Sequence, residues 1–300
     1  MFLILKNKIT GLRYYLHGFL LQNRIIWGLV NRRAIKNFES KGIRLSDKES
    51  DFVKTLNQDG FVVTDVNDYE DNILKRINTY VSKLDSRNSK IKSFLKYKLG
   101  GDYGNSRQKF DSINPLLEIA LNNNLTNIID SYFKMSSKLC YLEVNETVLH
   151  NTAESRIELE KSQKFHKDPG IEKCIKVFIY LTDVDENSGP FTYVKGSHRK
   201  FDEYFPQKYF GAGGLYPDPH LIDRIIDKEL IIPICGKAGT LIIADTTGLH
   251  CGGNSLSSVR EMATMVYYPP GDIRKSKIDI NFKGLEDIFP TSNNLLNITK

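Results

Sequence analysis

The sequence predicts an α+β protein, a helical N-terminal part followed by many short strands that form a sandwich or barrel. Three observations carry this. Up to Phe133 the apolar residues recur at spacings of three and four. After Ser136 they alternate or run on over 138–149, 174–184, 190–195, 230–234, 240–245 and 260–268. Turn residues bound those runs, as in Glu186-Asn187-Ser188-Gly189-Pro190 and Lys237-Ala238-Gly239.

Residues 1–45 form a basic amphipathic segment. Leu12, Tyr15, Leu16, Phe19, Leu20, Ile26 and Val30 have helical spacing, with Arg13, Arg24, Arg32, Arg33 and Lys36 between them. The pattern predicts a helix pair packed on the core, with peripheral contact between residues 1–40 and an anionic membrane as the alternative. No basic residue precedes the apolar MFLIL and no small-residue cleavage site follows it, so it does not read as a signal peptide. From residue 46 to 300 the chain reads as one domain. Ser46, Asp47 and Glu49 open a capped helix, and Asp59-Gly60 turns into a short buried strand, Phe61-Val62-Val63. Residues 69–98 have helical spacing, 100–105 read as a loop, and Leu116–Phe133 as a further helix. The glycine-rich stretch 210–214 reads as a mobile loop.

Composition excludes several classes. With 40% hydrophobic and 26% charged residues the chain is neither collagen-like nor wholly disordered. Four cysteines without a CxxC pair exclude a disulfide scaffold or zinc ribbon. Cys140, Cys174 and Cys235 lie in apolar runs and read as small core residues. No uncharged apolar run approaches the ~20 residues of a membrane span. Met1–Arg44 holds nine Lys/Arg against Glu39, a charge of +8, so the rest of the +6 chain carries 6 − 8 = −2. A nucleic-acid binder would spread basic charge over a folded face, so that partner is not expected.

Three patterns in the β-rich half belong together. In Phe165-His166-Lys167-Asp168-Pro169, residues i and i+2 of an extended strand project to one face, so His166 and Asp168 can reach one point. His250 follows the β run 240–244, and Arg260 opens the run that ends at Tyr268. Two histidines and a carboxylate on one face of a metal leave adjacent positions open, as non-haem Fe(II) oxygenases require. Those positions can take a bidentate 2-oxo acid and O₂, and a guanidinium one strand away can grip the far carboxylate of that acid.

On these residues the chain resembles the phytanoyl-CoA dioxygenase-like family of Fe(II)/2-oxoglutarate oxygenases. The resemblance covers about 140–270 and, more faintly, Gln58–Val63. Its motifs stand here as His166-Lys167-Asp168, Asn187-Ser188-Gly189-Pro190, Lys195-Gly196-Ser197-His198, His250, Asn254 and Arg260. It implies a double-stranded β-helix, a jelly-roll or cupin-like core with flanking N-terminal helices. It further implies Fe(II) on His166, Asp168 and His250, and 2-oxoglutarate held by Arg260 beside Phe178. Phe178 falls where some relatives have tryptophan, Lys195 replaces a proline, and Gly252 stands where a hydroxyl residue often assists the co-substrate. Related halogenases lose the carboxylate, so Asp168 favours hydroxylation.

The expected activity is therefore hydroxylation of a small metabolite or a glycan- or lipid-linked intermediate, releasing succinate and CO₂. The alternatives are desaturation, epimerisation or ring formation at the same iron, or a catalytically silent binding protein. The charge of −2 after Arg44 argues against a CoA thioester. Reduced thiols and a ferrous centre point to the cytoplasm. Arg107 and region 199–228 are candidate substrate contacts. His17, His150 and His220 are unassigned, with a structural or substrate-contact role expected of His150 over metal ligation; His198 is not expected to be a ligand, and Ser197-His198 is expected to shape a turn.

Overall fold

The computed structural model describes residues 24–84, 90–92, 95–99, 108–110, 114–149, 161–168, 173–199, 216–217, 222, 224–272 and 276–280. The glycine-rich stretch, Arg107, His17, His150 and His220 lie outside the described residues, as do residues 1–23.

Helices α1 (Arg24–Val30) and α2 (Arg32–Lys41) bury Trp27 and Ala34 against the core. Helix α3 (Asp47–Asp59) begins with a capping box: Ser46 Oγ accepts the Glu49 N–H, and the Glu49 carboxylate accepts the Ser46 N–H at 2.7 Å. It ends on Gly60, whose φ of +89° is the left-handed conformation that glycine tolerates best. The chain then enters β1 (Phe61–Asp65), which lies at the sheet edge with Val63 exposed.

The expected helix over 69–98 is shorter and gives way to strands. Helix α4 spans Ile73–Ser82, and β2 (Lys90–Lys92) and β3 (Leu95–Leu99) follow. The reason is a change of period: in Leu-Lys-Tyr-Lys-Leu the apolar Leu95 and Tyr97 alternate with lysines and are buried. Strand β4 (Gln108–Phe110) comes next. The helix expected over 116–133 is two, α5 (Pro115–Ala120) and α6 (Asn123–Phe133). Asn122 separates them, its side chain accepting the N–H groups of Asn124 and Leu125 as an N-cap.

The strand runs largely form as read, in β5 (Lys138–Thr147), β6 (Ile175–Tyr180), β7 (Phe191–Val194), β8 (Ile231–Ile234), β9 (Thr240–Asp245) and β11 (Glu261–Tyr268); two short strands outside those runs, β10 (His250–Gly252) and β12 (Ile278–Ile280), join them. An antiparallel seven-stranded sheet has the order β1-β9-β6-β11-β5-β3-β2, and a smaller sheet the order β10-β7-β8. Alternation divides the large sheet. Val177, Ile179, Leu241, Ile243 and Met265 pack outward with residues of α5 and α6, including Leu117 and Ile128. Phe178, Tyr180, Ile242 and Met262 point inward to meet Phe191, Tyr193 and Ile234 of the small sheet. Each such apolar side chain contributes about 1.5–3 kcal/mol on burial. This is a jelly-roll core with flanking helices.

Cys140 and Cys174 are buried as expected, but Cys235 is exposed, because it follows the last residue of β8.

Candidate metal centre

The centre begins with a backbone pairing. His166 N–H donates to the His250 carbonyl and His250 N–H donates to the His166 carbonyl, both at 2.9 Å. Residues facing each other in an antiparallel pair put their side chains on one side, so this bridge brings two imidazoles 84 positions apart to a ring separation of 4.2 Å. Asp168 N–H donates to the Thr246 carbonyl at 2.7 Å, which anchors the third side chain beside them.

The loop from Asp245 to Leu249 is itself tied down. The Asp245 carboxylate accepts from Tyr132 Oη at 2.6 Å and from Thr247 Oγ1 at 2.7 Å. Ser197 Oγ accepts the Leu249 N–H at 2.8 Å. Ser197 thus acts in a turn contact, and His198 is outside the metal-type cluster.

Each imidazole is oriented by the carbonyl two residues before it. His166 Nδ1 lies 2.8 Å from the Lys164 oxygen and His250 Nδ1 lies 2.9 Å from the Gly248 oxygen. A carbonyl only accepts, so each Nδ1 carries the proton and each Nε2 keeps a lone pair for a metal. The Nε2 atoms of His166 and His250 stand 3.9 and 3.6 Å from the two oxygens of Asp168. All three residues offer ligand atoms within 4.8 Å of one another. Burial pushes the His250 imidazole down to about 3 and also lowers His166, so both are neutral. Burial alone would raise Asp168, but Lys176 and the two histidines outweigh it and hold the carboxyl well below the usual range. Neutral imidazoles beside an ionised carboxylate are the protonation states that metal ligation requires.

Arg260 is buried, and burial lowers its guanidinium. Its N–H donates to Thr147 Oγ1 at 2.8 Å, and its Nη1 donates to the Gly189 carbonyl. Its Nε has no hydrogen-bond partner. A cavity lies beside it, lined by Thr147, Gln163, Gly252, Ser255 and Arg260 among others. A Cβ on Gly252 would sit 3.3 Å from Arg260 Nη2, so the glycine makes room for the guanidinium. Phe178 is buried inside the barrel, 4.5 Å from Phe191 between ring centres, and Phe191 is in turn 5.6 Å from His250.

The structure thus gathers His166, Asp168 and His250, buries Arg260 and places Phe178 on the same inner wall. Two neighbours went unread. Lys176 Nζ lies 2.6 Å from Asp168 Oδ2, and Tyr216 stacks on His166 at 5.5 Å and 26°. A lysine in the otherwise apolar run Ile175–Tyr180 was the available signal for the first.

Residues 159–262 match the family model for phytanoyl-CoA dioxygenase. Over that third of its length the chain is similar to the phytanoyl-CoA dioxygenase family. Within the curated proteins it is 26% identical over 116 residues to the ectoine dioxygenases of Bordetella bronchiseptica (strain ATCC BAA-588 / NCTC 13252 / RB50) and Bordetella parapertussis (strain 12822 / ATCC BAA-587 / NCTC 13253). Those alignments cover 35% of this chain and 38% of each relative, so the match spans well under half of their length. Among solved structures it resembles the epimerase SnoN in complex with Fe³⁺, alpha ketoglutarate and nogalamycin RO, with a TM-score of 0.52 and 17% identity. That match covers 75% of this chain and 88% of SnoN. The phytanoyl-CoA dioxygenase-like segment includes β6 to β10 and all three residues of the metal-type cluster.

Proposed function

We propose that the chain is an Fe(II)- and 2-oxoglutarate-dependent oxygenase that hydroxylates a small metabolite or a glycan- or lipid-linked intermediate. The observation that carries this reading is the cluster of His166, Asp168 and His250, with both Nε2 lone pairs and an ionised carboxylate converging. Residues 46–300 form the oxygenase unit on this reading. When bound, ferrous iron would activate O₂, the oxidant, whose four electrons would come in equal halves from 2-oxoglutarate, oxidised to succinate and CO₂, and from the substrate that is hydroxylated.

The chain's own part is to hold and to exclude. His166, Asp168 and His250 take one side of the metal and leave the other side open. Arg260 grips the far carboxylate of the 2-oxo acid, because a buried guanidinium with an unpartnered Nε needs an anion. Phe178 and Phe191 wall the pocket and keep water from it. Tyr216, partly exposed over His166, forms the edge facing the substrate. Asp168 occupies the ligand position that a halide would need, which favours hydroxylation over halogenation. Product analysis separates hydroxylation from desaturation, epimerisation or ring formation.

The reading is tested anaerobically. Fe(II) plus 2-oxoglutarate gives a weak visible charge-transfer band, and His166→Ala or His250→Ala abolishes it. An unchanged band in both variants overturns the assignment.

Peripheral membrane contact belongs to the same proposal. Among the described residues no helix is long and apolar enough to cross a membrane. Ile25 and Leu29, one turn apart on α1, are 74% and 65% exposed, with Arg24, Arg32 and Arg33 exposed around them. Ile25→Ser with Leu29→Ser should reduce co-sedimentation with anionic vesicles several-fold, and undiminished binding refutes the contact.

A further inference from the structure

An ammonium stands inside the metal pocket. We propose that Lys176 is a positioning residue that occupies Asp168 until a dianionic 2-oxo acid arrives, so that metal and co-substrate bind as a coupled pair. This inference rests on the metal-centre reading above.

The geometry comes from β6. Lys176, Phe178 and Tyr180 alternate onto the inner face, and Lys176 stands opposite Ala244 on β9 and Val266 on β11. Its ammonium reaches Asp168 Oδ2 at 2.6 Å, the oxygen that also faces His250 Nε2 at 3.6 Å. A carboxylate oxygen so gripped has less charge to offer a metal ion.

Charge counting decides the consequence. Asp168 and Lys176 cancel, and the two histidines are neutral, so these four residues carry no net charge towards an incoming cation. A divalent metal alone would leave the buried pocket at +2, where self-repulsion is weakly screened. A dianionic 2-oxo acid returns it to zero. Without Lys176 the metal alone would leave only +1. Arg260 adds demand for an anion at the Gly252 end of the site.

Glu143 is a second buried carboxylate close enough to act on the ammonium through its charge. It is buried on β5, in the cross-strand row Phe178–Thr264–Glu143 next to the row of Lys176, and it attracts Lys176 electrostatically. As Asp168 turns to the metal, the charge of Glu143 continues to attract Lys176.

The test uses the full metal-free chain, Mn²⁺ as the probe and N-oxalylglycine as a 2-oxo acid that does not turn over. Free Mn²⁺ is counted by electron paramagnetic resonance, and melting curves confirm that each variant is folded. In the wild type N-oxalylglycine should tighten Mn²⁺ binding by roughly 30-fold or more. Lys176→Met, with Lys176→Gln as a second variant, should bind Mn²⁺ alone about tenfold more tightly and lose most of that coupling. Lys176→Arg should restore it. Glu143→Gln should weaken Mn²⁺ binding in the wild type and have no effect beside Lys176→Met, which a merely structural role would not produce. Unchanged or weaker Mn²⁺ binding in both neutral variants overturns the role of Lys176, as does a wild type indifferent to N-oxalylglycine. A wild type that binds no Mn²⁺ under either condition overturns the metal-centre reading itself.

Discussion

Strand β6 presents two different surfaces on its two sides. Ile175, Val177 and Ile179 face the helices and are fully buried in an apolar layer. Lys176, Phe178 and Tyr180 face the barrel interior, where the ammonium meets Asp168 and Phe178 meets Phe191. Strand β11 repeats the division, with Ala263, Met265 and Tyr267 outward and Met262 and Thr264 inward. The outer face is bound by shape and apolar area, which any well-packed set of similar volume supplies. The inner face carries charge at a cost in desolvation, which the close pairing of Lys176 with Asp168 offsets. One backbone with a period of two serves both.

The sharpest way to break this comparison is His250→Ala. It should weaken metal binding by roughly 100-fold or more while leaving the helices and the outer layer intact. Mn²⁺ titration and far-ultraviolet circular dichroism measure the two sides separately. A variant that loses its helices together with its metal would contradict the division. The converse substitution on the same strand is Ile179→Ala. It should cost about 2–5 kcal/mol in denaturant unfolding, with the metal affinity of the folded fraction unchanged.

Arg260→Ala sharpens the comparison within the inner face. Losing a buried charge-assisted pair costs about 2–5 kcal/mol, so the Michaelis constant for 2-oxoglutarate should rise roughly 30-fold or more. Metal affinity measured without co-substrate should barely change. An unmoved co-substrate constant would take the 2-oxo acid away from this guanidinium.

The most gradual effect, small for each step in pH, is the pH dependence of the metal-free protein, and it belongs to the inner face. His250 and His166 have folded pKa values below the unfolded value of about 6.5. Above that pH the histidines are neutral in both states and contribute no slope. Below it the unfolded chain binds protons that the folded one refuses, so stability falls as pH drops from about 6.5 towards 3. The slope from His250 approaches about 1.4 kcal/mol per pH unit. His250→Gln should flatten the curve in urea midpoints measured from pH 7 to 4, whereas Ile179→Ala should lower it without changing its shape. A His250→Gln curve parallel to the wild type would show that the imidazole is solvated.

What the sequence by itself determined is what local periodicity can carry. Alternation marked β6, β9 and β11, and Ser46 with Glu49 marked the start of α3. The i, i+2 spacing of His166 and Asp168, a histidine after a strand and an arginine opening one defined the candidate metal centre. Periodicity misled where two periods abut, as between α4 and β3, and where a polar cap divides one apolar run, as at Asn122.

Tertiary structure alone decided the rest, because register between distant strands is not written in any local window. The reciprocal hydrogen bonds of His166 and His250 set one imidazole against the other. The inward turn of β6 made Lys176, a cation within an otherwise apolar run, the partner of Asp168. Burial did the same for Arg260: a guanidinium at a strand start is ordinarily solvated, and here Gly252, Gly189 and Thr147 enclose it. Charge in a folded interior takes its meaning from the groups that long-range packing sets beside it, and these come from segments far apart in the chain.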